Sequence, residues 1–300
     1  MTKPTLHHLT LTDSLQTGGQ RQLAWWQWQH PACAQPEHVV LAVHGLTRQA
    51  LDFDVLAQAL APHRRVVALD VAGRGHSDWL SDPARYAVPT YVADTLALIQ
   101  HLQPRELSWV GTSMGGLIGM ALLGSGAAQA RALVLNDVGP TLEWPALRRI
   151  GAYVGQAPVF ATQDEGMNHL ALLHASFGAH SPEQWRALSL PMLRPTTNGW
   201  RLHYDPAIAQ AFVGMPQTMD QAAHDAQQAL WALYDSIACP TLLLRGAQSD
   251  LLSPATAQAM TQRGPRATLY TVADVGHAPT LVQPAQVEVV RDFLLSPVAP

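Results

Sequence analysis

Lysine is almost missing from this sequence: Lys3 is the only one in 300 residues. That excludes an active site built on a lysine imine or on the lysine of a phosphate-cradling P-loop. Charge of either sign is scarce, at 13% of residues, about half the share in ordinary soluble domains. The net charge is −4 and no stretch is rich in lysine or arginine, so no basic field exists to hold nucleic acid. Cysteine occurs twice, at Cys33 and Cys239. Two are too few for a disulfide framework and suit idle thiols in a reducing compartment. No apolar run reaches the length of a membrane span, and the opening stretch MTKPTLHHLTLTD lacks the apolar core of a secretion signal. The expectation is a cytoplasmic protein with no membrane partner.

Apolar residues, by contrast, make up 48% of the chain, which argues for a folded globule with a large core. Short unalternated apolar runs recur at His38–Val43, Arg65–Leu69, Leu107–Val110, Ala132–Leu135, Thr241–Leu244 and Ala267–Val272. Such runs suit parallel strands covered on both faces. Helical patterns lie between them, at Asp52–Leu60, Thr90–Leu102 and Pro254–Gln262, with Ala285–Leu295 as a final amphipathic helix. The alternation predicts an α/β fold with a doubly wound, mostly parallel sheet. Ahead of it, Leu6–Thr12 and Gln22–Gln29 read as an antiparallel pair joined through Gly18-Gly19. Their tryptophans, Trp25, Trp26 and Trp28, fit a strand burying aromatics better than a binding platform. Between about Thr141 and Thr218 the alternation stops. Helical stretches at Trp144–Val154, Glu165–Phe177, Pro182–Leu188 and Asp205–Phe212 are divided by prolines, with no convincing strand. Residues 141–218 are therefore expected to form a helical cap inserted into a core made of 1–140 and 219–300.

In an open parallel sheet, functional groups gather at the carboxyl ends of strands. His44-Gly45-Leu46-Thr47 follows the first parallel run and Asp70 to Ser77 (DVAGRGHS) the second. The third leads into Gly111-Thr112-Ser113-Met114-Gly115, a G-x-S-x-G turn opening a helix rich in glycine and alanine. Asn136-Asp137, Gln248-Ser249-Asp250 and Gly276-His277 follow the remaining three. Taken together, and in this order, these motifs resemble the α/β-hydrolase family over nearly the whole chain.

The resemblance implies an eight-stranded sheet, a lid or cap after the fourth parallel strand, and a serine–histidine–acid triad needing no cofactor. Ser113 would be the nucleophile and His277 its base, with Asp250 orienting the imidazole. The backbone N–H groups of Leu46 and Met114 would form the oxyanion hole. Asp250 is favoured because Arg-Gly-Ala-Gln-Ser-Asp matches the family's usual acid loop, although it also suits a helix cap near Ser253. Asp137 is the rival acid, in a position some family members use, and otherwise a loop-ordering residue. Gly73-x-Gly75 lacks the rest of a phosphate loop and reads as packing beside the site. The spacing of His169, His174 and His180 does not suit a metal.

A serine at the elbow disfavours epoxide opening and dehalogenation, which in similar proteins use aspartate there. The expected activity is hydrolysis of a small or medium hydrophobic carboxylic ester through an acyl-enzyme. The alternatives are carbon–carbon bond hydrolysis of vinylogous diketones with the same triad, and a receptor-like binding protein with little turnover. Trp144, Tyr153, Phe160, Phe177, Trp185, Trp200, His203 and Tyr204 are the candidates to line an apolar pocket with few charges.

Overall fold

A computed structural model describes residues 2–297. The chain begins with β1 (Thr5–Thr12), β2 (Gln20–Trp28), β3 (Gln35–Val43), α1 (Asp54–Leu60) and β4 (Arg64–Asp70). It continues with α2 (Val88–Leu102), β5 (Glu106–Thr112), α3 (Met114–Gly124) and β6 (Ala132–Asn136). Next come α4 (Trp144–Tyr153), β7 (Val159–Phe160), α5 (Gln163–Leu173), α6 (Pro182–Ser189), β8 (Leu193–Thr196) and β9 (Gly199–Leu202). Finally α7 (Gln221–Asp235), β10 (Thr241–Gly246), α8 (Pro254–Met260), β11 (Thr268–Val272) and α9 (Pro284–Leu295) complete it. Among the described residues, no helix is long and apolar enough to cross a membrane.

Eight strands form one sheet in the order β1-β2-β4-β3-β5-β6-β10-β11. Pairing is parallel from β4 to β11, and antiparallel only where β2 meets β1 and β4. This is the expected doubly wound, mostly parallel α/β sheet. Its strands read as continuous apolar runs because both faces are covered. In β3, Val39, Leu41 and Val43 join one core while Val40 and Ala42 join the other. Leu98 of α2, Ile118 of α3 and Tyr234 of α7 close the first face; Leu56 of α1 and Val290 of α9 close the second. Trp25 and Trp28 are buried in these cores, so the tryptophan-rich strand is packing, not a platform.

From β3 the chain steps by way of α1 to β4 on one side, then crosses back through α2 to β5 on the other. The order reverses there, opening a crevice beyond the carboxyl ends of β3 and β5. The Gly45–Arg48 loop and Ser113 stand at that crevice.

Residues 141–218 depart from an all-helical expectation. Their helices are present, but β7, β9 and β8 make a small antiparallel sheet. These strands are two to four residues long, too short to show alternation, and Pro195 lies within one of them. Asn198-Gly199 at the β8–β9 turn was the available hairpin signal. Asp205–Phe212 is a 3₁₀ segment from Pro206, not an α-helix.

Gly115 shows how closely α3 docks on the sheet. A Cβ there would overlap the carbonyl oxygen of Val43 at the end of β3, and neither backbone can yield. Gly115→Ala is expected to destabilise the fold by about 3 kcal/mol, lowering Tm by about 6 °C or more. A melting curve identical to the parent's would refute that close docking.

Candidate active site

The strand-to-helix turn after β5 forces Ser113 into a backbone conformation that side chains seldom adopt, with φ 51° and ψ −116°. Ser113 N–H donates to the Asn136 carbonyl (3.0 Å), while its own carbonyl accepts from Gly116 N–H (2.8 Å). These bonds hold the turn and leave the hydroxyl facing the crevice. Met114 opens α3, so its N–H is one that the helix does not use.

The Ser113 hydroxyl lies 2.9 Å from His277 Nε2, and His277 Nδ1 lies 2.8 Å from Asp137 Oδ2. A carboxylate only accepts, so Nδ1–H donates to Asp137 and Nε2 is left to accept the serine proton. Asp137 is fully buried and follows directly on β6. Its Oδ1 accepts from Gly246 N–H (2.9 Å), and its Oδ2 accepts a second bond from the Ser249 hydroxyl (2.7 Å).

Asp250, the acid favoured from the sequence, does not reach His277. It is half exposed and forms a two-pronged ion pair with Arg149 at 2.7 and 3.0 Å. The reason is local. A turn closed by Ser249 N–H on the Gly246 carbonyl (2.9 Å) aims the Ser249 side chain inward and leaves Asp250 outside. The expected acid loop thus supplies a hydroxyl, and the carboxylate comes from the neighbouring strand end.

The loop after β3 is tied at each carbonyl. Gly45 O accepts from Arg48 N–H (3.1 Å), Leu46 O from Arg74 Nε (2.8 Å) and Thr47 O pairs with His203 Nε2 (3.2 Å). Arg74 is fully buried. It also donates to Ala72 O, Tyr91 Oη and the sulfur of Met114. One guanidinium therefore braces both residues expected to supply oxyanion donors. Asp70 accepts from the N–H groups of Ala50 and His76, so the Asp70–Ser77 turn is packing beside the site. Burial pushes the Asp70 carboxyl up to about 6. It holds His44 and His174 down to about 3 and His203 well below its usual value, keeping three imidazoles near the site neutral.

A cavity runs from Ser113 and His277 past Leu46, Thr47 and Arg48 to Arg149, Tyr153, His174 and Phe177. Of the eight side chains expected to line a pocket, only Tyr153 and Phe177 do so. Trp185 stacks behind Phe177, Phe160 packs on His169, and His203 holds Gly75 N–H (2.7 Å). The lining is less apolar than expected: Arg48 and Arg149 enter it, and no carboxylate does. The sequence motif placed Asn136 at a strand end without a role of its own; its amide donates to Thr112 Oγ1 (3.0 Å) and Pro279 O (2.8 Å), joining the Ser113 turn to the His277 loop. Its place immediately before Asp137 was the available signal.

Comparison with known proteins identifies the family. Residues 39–290 match the model of the alpha/beta hydrolase family. The chain is 45% identical over 289 residues to the 3-hydroxybutyrate-oligomer hydrolase of Cupriavidus necator, covering 95% of this chain and 97% of the relative. It is 27% identical over 265 residues to an esterase of Mycobacterium tuberculosis, covering 85% and 82%. Among solved structures, an alpha/beta hydrolase from Novosphingobium aromaticivorans superposes with a TM-score of 0.83 at 32% identity, over 98% of this chain and 99% of that one. The chain belongs to the alpha/beta hydrolase family.

Proposed function

We propose that this protein hydrolyses a carboxylic ester through an acyl-enzyme on Ser113. The observation that carries the reading is the continuous relay from buried Asp137 through His277 to the Ser113 hydroxyl. In the first half-reaction Ser113 Oγ bonds to the ester carbonyl carbon as its proton passes to His277 Nε2. The carbon–alkoxy bond then breaks, and His277 returns the proton to the departing alcohol. In the second half, water loses a proton to His277, attacks the acyl carbon and releases the acid, restoring Ser113. Asp137 holds the imidazole in the required tautomer and stabilises its charged form. The N–H groups of Leu46 and Met114 receive the oxyanion, each worth about 3 kcal/mol in such sites.

The relative from Cupriavidus necator acts on oligomers of 3-hydroxybutyrate. A short ester of a hydroxyacid is therefore the substrate class we favour, in place of a wholly hydrophobic ester. The two cysteines, neither in a disulfide, fit a reducing compartment such as the cytoplasm.

Ser113→Ala is expected to abolish turnover of a chromogenic butyrate ester and block labelling by a fluorophosphonate. Undiminished turnover would rule out the acyl-enzyme. Asp137→Asn is expected to lower kcat about 10³-fold or more, because the amide favours the wrong imidazole tautomer. Asp250→Asn, which breaks only a half-exposed ion pair, is expected to change kcat by less than about threefold. Steady-state kinetics of the two variants decide between the acids, and the reverse ranking would return the role to Asp250.

A further inference from the structure

Arg48 is almost entirely buried beside the nucleophile. A Cβ built on Gly45 would stand 3.7 Å from Ser113 Cβ and 3.8 Å from Arg48 Cγ, so the arginine stem and the serine flank one glycine. The guanidinium is only partly used. Nε and Nη2 hold the Asp52 carboxylate at 2.6 and 2.7 Å, and Nη2 also donates to Leu188 O at 2.9 Å. Nη1 has no hydrogen-bond partner among the described residues, yet it is not sealed inside the protein. The side chain lines both the Ser113 cavity and a smaller pocket behind it, where Asp52, Thr112 and Phe177 meet. Phe177 lies under the guanidinium, 5.7 Å from ring centre to Cζ.

A buried arginine normally employs all its donors, because an unmade bond there is costly. Here one nitrogen has no protein partner among the described residues, on a side chain that lines a cavity walled by two guanidinium groups and no carboxylate. Arg149, the other, is neutralised at the mouth by Asp250. His174, another wall residue, stays neutral chiefly through burial and next through the nearby positive charge of Arg48. The ligand chemistry that completes such a site is an anionic oxygen group, and at a carbonyl-cleaving serine that means a carboxylate.

We infer that Arg48 is a substrate-binding residue that receives a free carboxylate a few bonds from the scissile ester, so that the enzyme selects short hydroxyacid esters with an ionised end. The inference rests on Ser113 being the nucleophile. Asp52 shares the guanidinium and moderates its pull. Its own carboxyl is pushed up by burial and drawn back by Arg48.

The test compares 3-butanoyloxybutanoate with its neutral primary amide, which carries the same scissile ester. The native enzyme is expected to favour the carboxylate about 30-fold in kcat/KM, the worth of one charged hydrogen bond of about 2 kcal/mol. Arg48→Met is expected to erase that preference and Arg48→Lys to restore part of it. Asp52→Asn is expected to enlarge it by lowering KM for the carboxylate alone, a gain that general damage to the fold does not produce. Equal turnover of the two esters by the native enzyme overturns the inference, as does an Arg48→Met enzyme that keeps the preference. If Arg48→Met does not fold, the native enzyme still decides. Inhibition by 3-hydroxybutyrate at least tenfold stronger than by 3-hydroxybutanamide supports the carboxylate site, and equal inhibition refutes it. Failure of the Ser113 reading looks different, since Ser113→Ala would then leave both esters cleaved.

Discussion

The arrangement of the site depends on one carboxylate held out of water. Asp137 has no solvent contact, and its charge is compensated by three donors: the Gly246 N–H, the Ser249 hydroxyl and His277 Nδ1–H. They arrive from the end of β10, the loop after it and the loop after β11. A buried carboxylate that loses a donor is heavily penalised, so meeting its needs fixes three segments against β6. Neighbouring β5 then brings Ser113 into line, tied to β6 through the Asn136 carbonyl.

Much of this was legible in the sequence because backbone geometry leaves few options. Ser113 needs glycines on both sides, one of them because α3 touches Val43, so the turn announces itself as G-x-S-x-G. His277 follows a glycine after the last strand. The carboxylate that meets His277 was less legible for a topological reason: β6 and β10 are neighbours, and each ends in a loop carrying an aspartate. Which one turns inward is decided by a tight turn at Gly246–Ser249 and by a left-handed backbone at Asp137, with φ 57°. Neither leaves a composition or periodicity signal.

The character of the cavity was harder still to read. Arg48 sits two residues after Leu46, in a stretch that looks like an ordinary surface turn. It is buried because Phe177 and Leu188, 129 and 140 residues onward, close over it. A side chain whose surroundings come from so far along the chain cannot be placed by local pattern. The same holds for the small sheet of β7, β8 and β9, whose strands are defined only by one another.

Arg74 carries a further consequence. It is completely enclosed, and among the described residues no carboxylate neutralises it. Carbonyl oxygens, a phenol, a thioether and the faces of Tyr86 and Tyr91 surround it instead. Arginine does not lose its proton in a protein. The turn of Leu46 and the first residue of α3 therefore sit in a standing positive potential, weakly screened by the apolar interior. That potential is set by the fold itself, so it needs no rearrangement to act on any negative charge placed beside it.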